Sequence, residues 1–192
     1  MGKYINSQEE PDPLVQTAIA HYQFEAIHPF LDGNGRIGRL LIPIILYEKN
    51  ILSYPLLYVS EYFENNKQEY YNFLRLVDTE EDWTSWIRFF LNSIKIQAED
   101  TQTKVKDMLE LYKKTREKLV NFNSQYAVDL LDIIFENPIV SFKSIRLQIK
   151  TNSYQTIYNL LNKFEEESIL RQITKGRRNK VYIFEDLLKT IR

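Results

Sequence analysis

Cysteine is absent from the 192 residues, so the chain has no disulfide framework, no thiol nucleophile and no cysteine metal site, as suits a reducing compartment. Glycine (5) and proline (6) are scarce, which disfavours a turn-rich β-sandwich and favours helices. No sign of charge dominates. Twenty-five basic against 26 acidic residues leave −1, which excludes attachment to nucleic acid or membrane by bulk charge and leaves any such binding local. Long apolar runs are also missing: the longest, Leu40 to Tyr47, is interrupted by Pro43, stopped by Glu48, and far too short to span a bilayer. No charged segment followed by an apolar stretch opens the chain, and Asn6 stands where myristoylation at Gly2 wants Ser or Thr. These absences read together as a cytoplasmic protein. What is present is core material: 44% apolar residues, with 13 tyrosines and 11 phenylalanines, is enough for one large domain or two small ones and excludes disorder.

Charge divides the chain. Residues 1–110 carry 10 basic and 17 acidic side chains, residues 111–192 carry 15 and 9, so the halves are expected to do different jobs. In the first half, Asp12-Pro13 opens a helix that runs at helical spacing to Ile27 and ends before Pro29. After a glycine-containing break, Arg36 to Asn50 predicts a buried helix, with Pro43 kinking it or sitting in its first turns. Tyr58–Val77 and Asp82–Leu109 continue in helical periods, with Trp83 and Trp86 on the inner stripe of the second. A polar stretch, Asn121 to Ser124, makes a boundary. Beyond it come three short helical patterns, Gln125–Glu136, Phe142–Ile149 and Ser153–Glu167. Two short apolar runs, Ile169–Ile173 and Val181–Phe184, then flank a basic tip. Three helices and a hairpin are the order of a winged helix-turn-helix. The fold class expected is mainly α: a helical core in residues 1–120 and a small winged-helix domain in residues 121–192.

The segment His28-Pro29-Phe30-Leu31-Asp32-Gly33-Asn34-Gly35-Arg36-Ile37-Gly38-Arg39 carries the chemistry. It is a glycine-containing loop that enters a helix N-terminus. Gly33 and Gly35 let the backbone approach an anion, and the free N–H groups and dipole of the helix start favour negative charge there. Arg36 and Arg39, three apart, share a helix face and can grip two phosphoryl groups. Asp32 among these cations suits a hard divalent ion bridging phosphates, normally Mg²⁺. An imidazole at position 28 can accept the proton of an incoming hydroxyl. His21, two turns earlier, reads as structural, as do Trp83 and Trp86.

These twelve residues resemble the signature of the Fic family at every fixed position: histidine, proline, phenylalanine, any residue, an acid, glycine, asparagine, glycine, arginine, any two residues, arginine. The flanks Ala20–Ile27 and Leu57–Phe63, with Tyr70-Tyr71, are similar to the larger bacterial members, and the resemblance is specific from about Pro13 to Gln97. It implies transfer of AMP from ATP to a hydroxyl of a target protein, with pyrophosphate leaving and Mg²⁺ as cofactor. By that resemblance His28 is the base and Asp32 holds Mg²⁺. Gly33, Asn34 and Gly35 cradle phosphates, Arg36 and Arg39 hold the β and γ groups, and Tyr71, ahead of Tyr70, lines the adenine pocket. The Doc branch has lysine where this chain has Gly35, so nucleotidyl rather than phosphoryl transfer is implied. Family members place further helices and a target-docking flap ahead of the motif, and 27 residues precede His28 here, so the flap is expected to lie outside this chain. Ser60–Asn65 fits the family's inhibitory pattern by letter, but it falls where members have core. At the basic tip, Lys175, Arg177, Arg178 and Lys180 are candidate contacts to DNA phosphates, and Tyr154, Gln155, Thr156, Tyr158 and Asn159 could face bases. A protein partner fits nearly as well, because Glu165-Glu166-Glu167 would repel a phosphate backbone. The partners expected are therefore the modified protein, DNA or a protein at the wing, and no membrane; a homo-oligomer stays open. The alternative function is a winged-helix regulator binding nucleic acid, whose Fic-like half only binds nucleotide.

Overall fold

The structure is a computed structural model describing residues 2–7, 12–151, 153–174 and 180–191. The chain is mainly helical and divides into two compact units, residues 1–102 and 103–192, with the expected boundary after residue 120 lying later in the chain than this division. Among the described residues no helix is long and apolar enough to cross a membrane.

The first unit contains α1 (Gly2–Ile5), α2 (Pro13–Ile27), α3 (Asn34–Glu48), α4 (Ser60–Asn65), α5 (Lys67–Glu80) and the N-terminal part of α6 (Trp83–Lys118). Asp12 starts α2 as expected of an N-cap: its Oδ1 accepts the N–H groups of Leu14 at 2.8 Å and Val15 at 3.3 Å, and Pro13 follows at the position that needs no donor. Pro43 lies in the interior of α3, not in its first turns, and removes the helical bond that would reach the Arg39 carbonyl. The stretch read as one helical period from Tyr58 to Val77 is two helices separated at Asn66, whose side-chain amide donates to the Tyr62 carbonyl at 2.8 Å. The core joins all the longer helices of this unit through Ala18, Ile42, Phe63, Tyr70, Trp86 and Phe90. The Trp86 indole N–H donates to the Ala18 carbonyl at 3.0 Å, so α6 is pinned to α2 by a directional bond as well as by packing. Phe63, inside the Ser60–Asn65 pattern, is 1% exposed and belongs to this core.

The second unit contains the C-terminal part of α6, a short 3₁₀ turn (Leu119–Phe122), α7 (Ala127–Glu136), β1 (Ile139–Ser141), α8 (Phe142–Gln148), α9 (Tyr154–Glu166), β2 (Arg171–Gln172), β3 (Val181–Ile183) and α10 (Glu185–Thr190). Its three antiparallel strands are ordered β1-β3-β2, with Val140 opposite Tyr182 and Gln172 opposite the same residue on the other side. Leu130, Leu131, Ile134, Ile145, Ile157 and Phe164 form a separate core, against which Met108, Leu111 and Tyr112 of α6 also pack. Ser141 and Ser144 cap α8 reciprocally, and Ser153 caps α9 by accepting the Thr156 N–H at 3.3 Å.

Candidate active site

The twelve-residue segment begins where α2 ends. His28 is the left-handed C-cap (φ 47°, ψ 59°), donating its N–H to the Phe24 carbonyl at 3.1 Å, and its side chain is exposed. Histidine is among the non-glycine residues that tolerate this conformation. The following loop is closed by Asn34. Its Oδ1 accepts the Phe30 N–H at 2.9 Å and its amide donates to the Phe30 carbonyl at 2.6 Å. Asn34 is buried, so its side chain shapes the loop, and toward an anion it can offer its backbone N–H.

Gly33 is the N-cap of α3 at φ 80°, with no side-chain cap bond. A helix start leaves its first N–H groups without intrahelical acceptors, and here no cap competes for them. The two arginines border this turn. A Cβ on Gly33 would lie 3.5 Å from Arg36 Nη2, and one on Gly35 would lie 3.3 Å from Arg39 Nη1, so each guanidinium folds over a glycine. Asp32 accepts the Gly33 N–H at 2.6 Å through Oδ1, while its Oδ2 lies 3.5 Å from Arg36 Nη2. The Arg36 and Asp32 side chains are 75% and 94% exposed, so their pairing is worth about 1 kcal/mol or less and both can take other partners. Among the described residues no group of three or more His, Asp or Glu could hold a metal by itself. One outward carboxylate beside two guanidiniums is a donor set that suits Mg²⁺ bound together with phosphates and water, since that ion binds through one or two carboxylates.

Behind the loop, the two helices are joined by His21. Its Nδ1 lies 3.1 Å from the Gly38 carbonyl and its Nε2 lies 3.0 Å from the Tyr70 hydroxyl. A carbonyl can only accept, so Nδ1 carries the proton, and the Tyr70 hydroxyl donates to Nε2. Burial lowers the His21 pKa to about 4, against a smaller opposing effect of the Gly38 bond, while the Arg39 charge lowers it further. Burial likewise pushes the Tyr70 hydroxyl upward, keeping it a donor. Tyr70 is 3% exposed and serves the core, whereas its neighbour Tyr71 is 53% exposed and touches it edge-on, so Tyr71 is the one with a face to offer a ligand.

Two features have no counterpart in the sequence reading. Gly38 is tightly covered: a Cβ there would fall 2.2 Å from Glu25 Oε1 and 3.1 Å from Phe24 Cδ1. Glu25 Oε1 and Arg39 Nε are both buried without a hydrogen-bond partner. Burial raises the Glu25 pKa, with the charges of Arg39 and His28 pulling it the other way. The sequence signal was the placement of Glu25 one turn before His28, on the same side of α2.

In the second unit, Lys175, Arg177 and Arg178 lie outside the described residues, and Lys180 is half-buried beside β3. The outer residues of α9 are engaged with each other and with α8. Phe142 stacks on Tyr158 at 4.4 Å and on Tyr154 at 5.5 Å, and the Arg146 guanidinium lies 4.2 Å over the Tyr154 ring. Gln155 donates to Asn159 at 2.8 Å.

The Fic/DOC family model matches residues 1–46. The chain is 35% identical over 88 residues to "Protein adenylyltransferase Fic" of Drosophila grimshawi, an alignment covering 45% of this chain and 17% of that protein. It is 36% identical over 89 residues to the protein of the same name from Drosophila yakuba, again covering 45% and 17%. The chain thus spans less than a fifth of the length of these relatives. A solved Fic family protein from Desulfovibrio desulfuricans G20 is 23% identical, with a TM-score of 0.49, over 95% of this chain and 52% of that one.

Proposed function

We propose, from the premise that this chain belongs to the Fic family, that it moves AMP from ATP to a hydroxyl side chain of a target protein. The observation that carries the reading is the pair of guanidiniums folded over Gly33 and Gly35 at an uncapped helix start, one loop away from an exposed histidine. Phosphate oxygens satisfy the free N–H groups and both cations at once. Arg36 and Arg39 bind the β and γ groups, and the backbone of Gly33, Asn34 and Gly35 follows the phosphates. Tyr71 offers its open face to the adenine. Asp32 holds Mg²⁺, which when bound neutralises phosphate charge and polarises the phosphoryl oxygens. The hydroxyl oxygen then bonds to the α-phosphorus, the bond from that phosphorus to the α–β bridging oxygen breaks, and pyrophosphate leaves with that electron pair. His28 takes the hydroxyl proton.

The helix, strand, helix, helix, strand, strand order of residues 127–183 supports reading the second unit as a winged helix that recruits the target or regulates the transfer. The protein is expected to place label on a lysate protein from α-labelled ATP and none from γ-labelled ATP. Autoradiography of the two incubations checks this. Label from the γ position alone would replace AMP transfer with phosphoryl transfer.

A further inference from the structure

The Glu25 carboxylate has no task in the mechanism above, yet it is set among the residues that do. It lies over Gly38, where any side chain would displace it, and Oε1 has no partner in its buried position. On the neighbouring helix Arg39 has the complementary defect: Nε is buried and donates to nothing, while Nη1 reaches forward over Gly35. A buried carboxylate oxygen and a buried guanidinium N–H each left unpaired are costly separately, and one hydrogen bond removes both costs. The guanidinium has two usable edges. If Nε–H is given to a carboxylate behind, the Nη1 and Nη2 groups remain for a phosphate in front, and the long side chain is fixed before the ligand arrives.

We propose that Glu25 is a positioning residue that accepts the Arg39 Nε–H and so presents the Nη edge of that guanidinium to the bound phosphate. The proposal rests on the phosphate-grip reading of the site. The charged and titratable groups facing Glu25 are Arg39 from α3, His28 from its own helix and Tyr70 from α5. Burial already holds the carboxylate pKa above the usual glutamate range. A raised carboxyl pKa means that the folded chain binds the proton more tightly than the unfolded one. The protonated form therefore favours folding at acid pH, and that contribution is lost as the pH rises through the folded pKa. Proton binding by Glu25 thus adds nothing to stability at neutral pH, so a loss of ATP affinity in Glu25→Gln without a fall in melting temperature separates positioning from scaffolding.

The test uses the 192-residue chain and four variants: Glu25→Ala, Glu25→Gln, Arg39→Ala and the double variant Glu25→Ala/Arg39→Ala. Calorimetric titration with ATP and Mg²⁺ should give about 10-fold weaker binding for Glu25→Ala, a smaller loss for Glu25→Gln, which keeps an acceptor, and no further loss when Glu25→Ala is added to Arg39→Ala. The melting temperature at pH 7 should not fall in Glu25→Gln. In the nucleotide-free chain, the Arg39 Nε–H resonance, identified by its loss in Arg39→Lys, should be protected from exchange and should move and exchange faster in Glu25→Ala. Equal losses of affinity in both backgrounds, or an Arg39 resonance indifferent to Glu25, overturns the proposal. If the wild-type chain binds no ATP, the phosphate reading fails, and the resonance still decides whether Glu25 holds Arg39.

Discussion

Replacing His28 by asparagine is expected to lower AMP transfer about 10²–10⁴-fold, the usual contribution of a positioned general base, while ATP binding stays close to that of the unaltered chain. The asymmetry follows from where each group acts. In the proposed mechanism the arginines meet phosphates in the bound ground state, whereas the imidazole meets the incoming hydroxyl, whose proton moves only in the transition state. The choice of asparagine follows from the backbone. Position 28 is left-handed, a conformation that costs alanine roughly 1–2 kcal/mol and that asparagine adopts more readily. His28→Asn thus removes the proposed base and keeps the cap, and a comparison with His28→Ala separates lost chemistry from a loosened helix end. Single-turnover labelling from α-labelled ATP checks the rate, and calorimetry checks the binding. Undiminished label in His28→Asn would remove the base assignment.

The second large effect is on stability. His21→Ala is expected to cost roughly 3 kcal/mol or more, because it opens a cavity among Phe63, Trp86 and Phe90 and leaves the Gly38 carbonyl and the Tyr70 hydroxyl without their partner. For a unit of this size the melting temperature should fall by at least about 10 °C. Both tryptophans lie in the first unit, so their fluorescence reports that unit. The wild-type chain should also show a matching pH dependence. With the folded pKa at about 4 against an ordinary value of 6.5, the unfolded chain binds the proton more tightly. The stability that neutral His21 contributes is therefore whole above about pH 6.5 and is lost as the pH falls toward 4, roughly 3 kcal/mol in all. Denaturant midpoints at pH 7.5 and 4.5 check this. A midpoint indifferent to that change would contradict the buried neutral imidazole.

The helix ends around the motif are more legible in the sequence than the packing behind them. Asp12-Pro13, Pro29 and Gly33 are punctuation whose geometry is fixed by a single residue's chemistry, so the ends of α2 and the start of α3 follow from them within a residue or two. The break at Asn66 was hidden for a physical reason. Phe63, Tyr70 and Val77 are spaced by sevens, so the buried stripe stays in phase across the interruption and periodicity alone reads one helix. Strand β1, with three residues, is too short for alternation to register, and only its pairing with β3 defines it. Asn34 is a residue type that suits an anion site, yet its side chain is spent on Phe30, and only the three-dimensional structure distinguishes the two uses. The placement of Glu25 over Gly38 depends on how closely α2 and α3 approach, which no local pattern encodes.

Titrating ATP with Mg²⁺ into the unaltered chain and into Arg36→Ala in a calorimeter decides whether the turn between α2 and α3 grips a polyphosphate. Arg36 is exposed and folds over Gly33, so its removal should leave the fold intact. Loss of one charge-assisted contact of about 1.5–3 kcal/mol predicts binding weaker by about 10- to 150-fold, a larger loss than in His28→Asn. Equal affinities for the unaltered chain and Arg36→Ala would mean that this turn does not hold the phosphates.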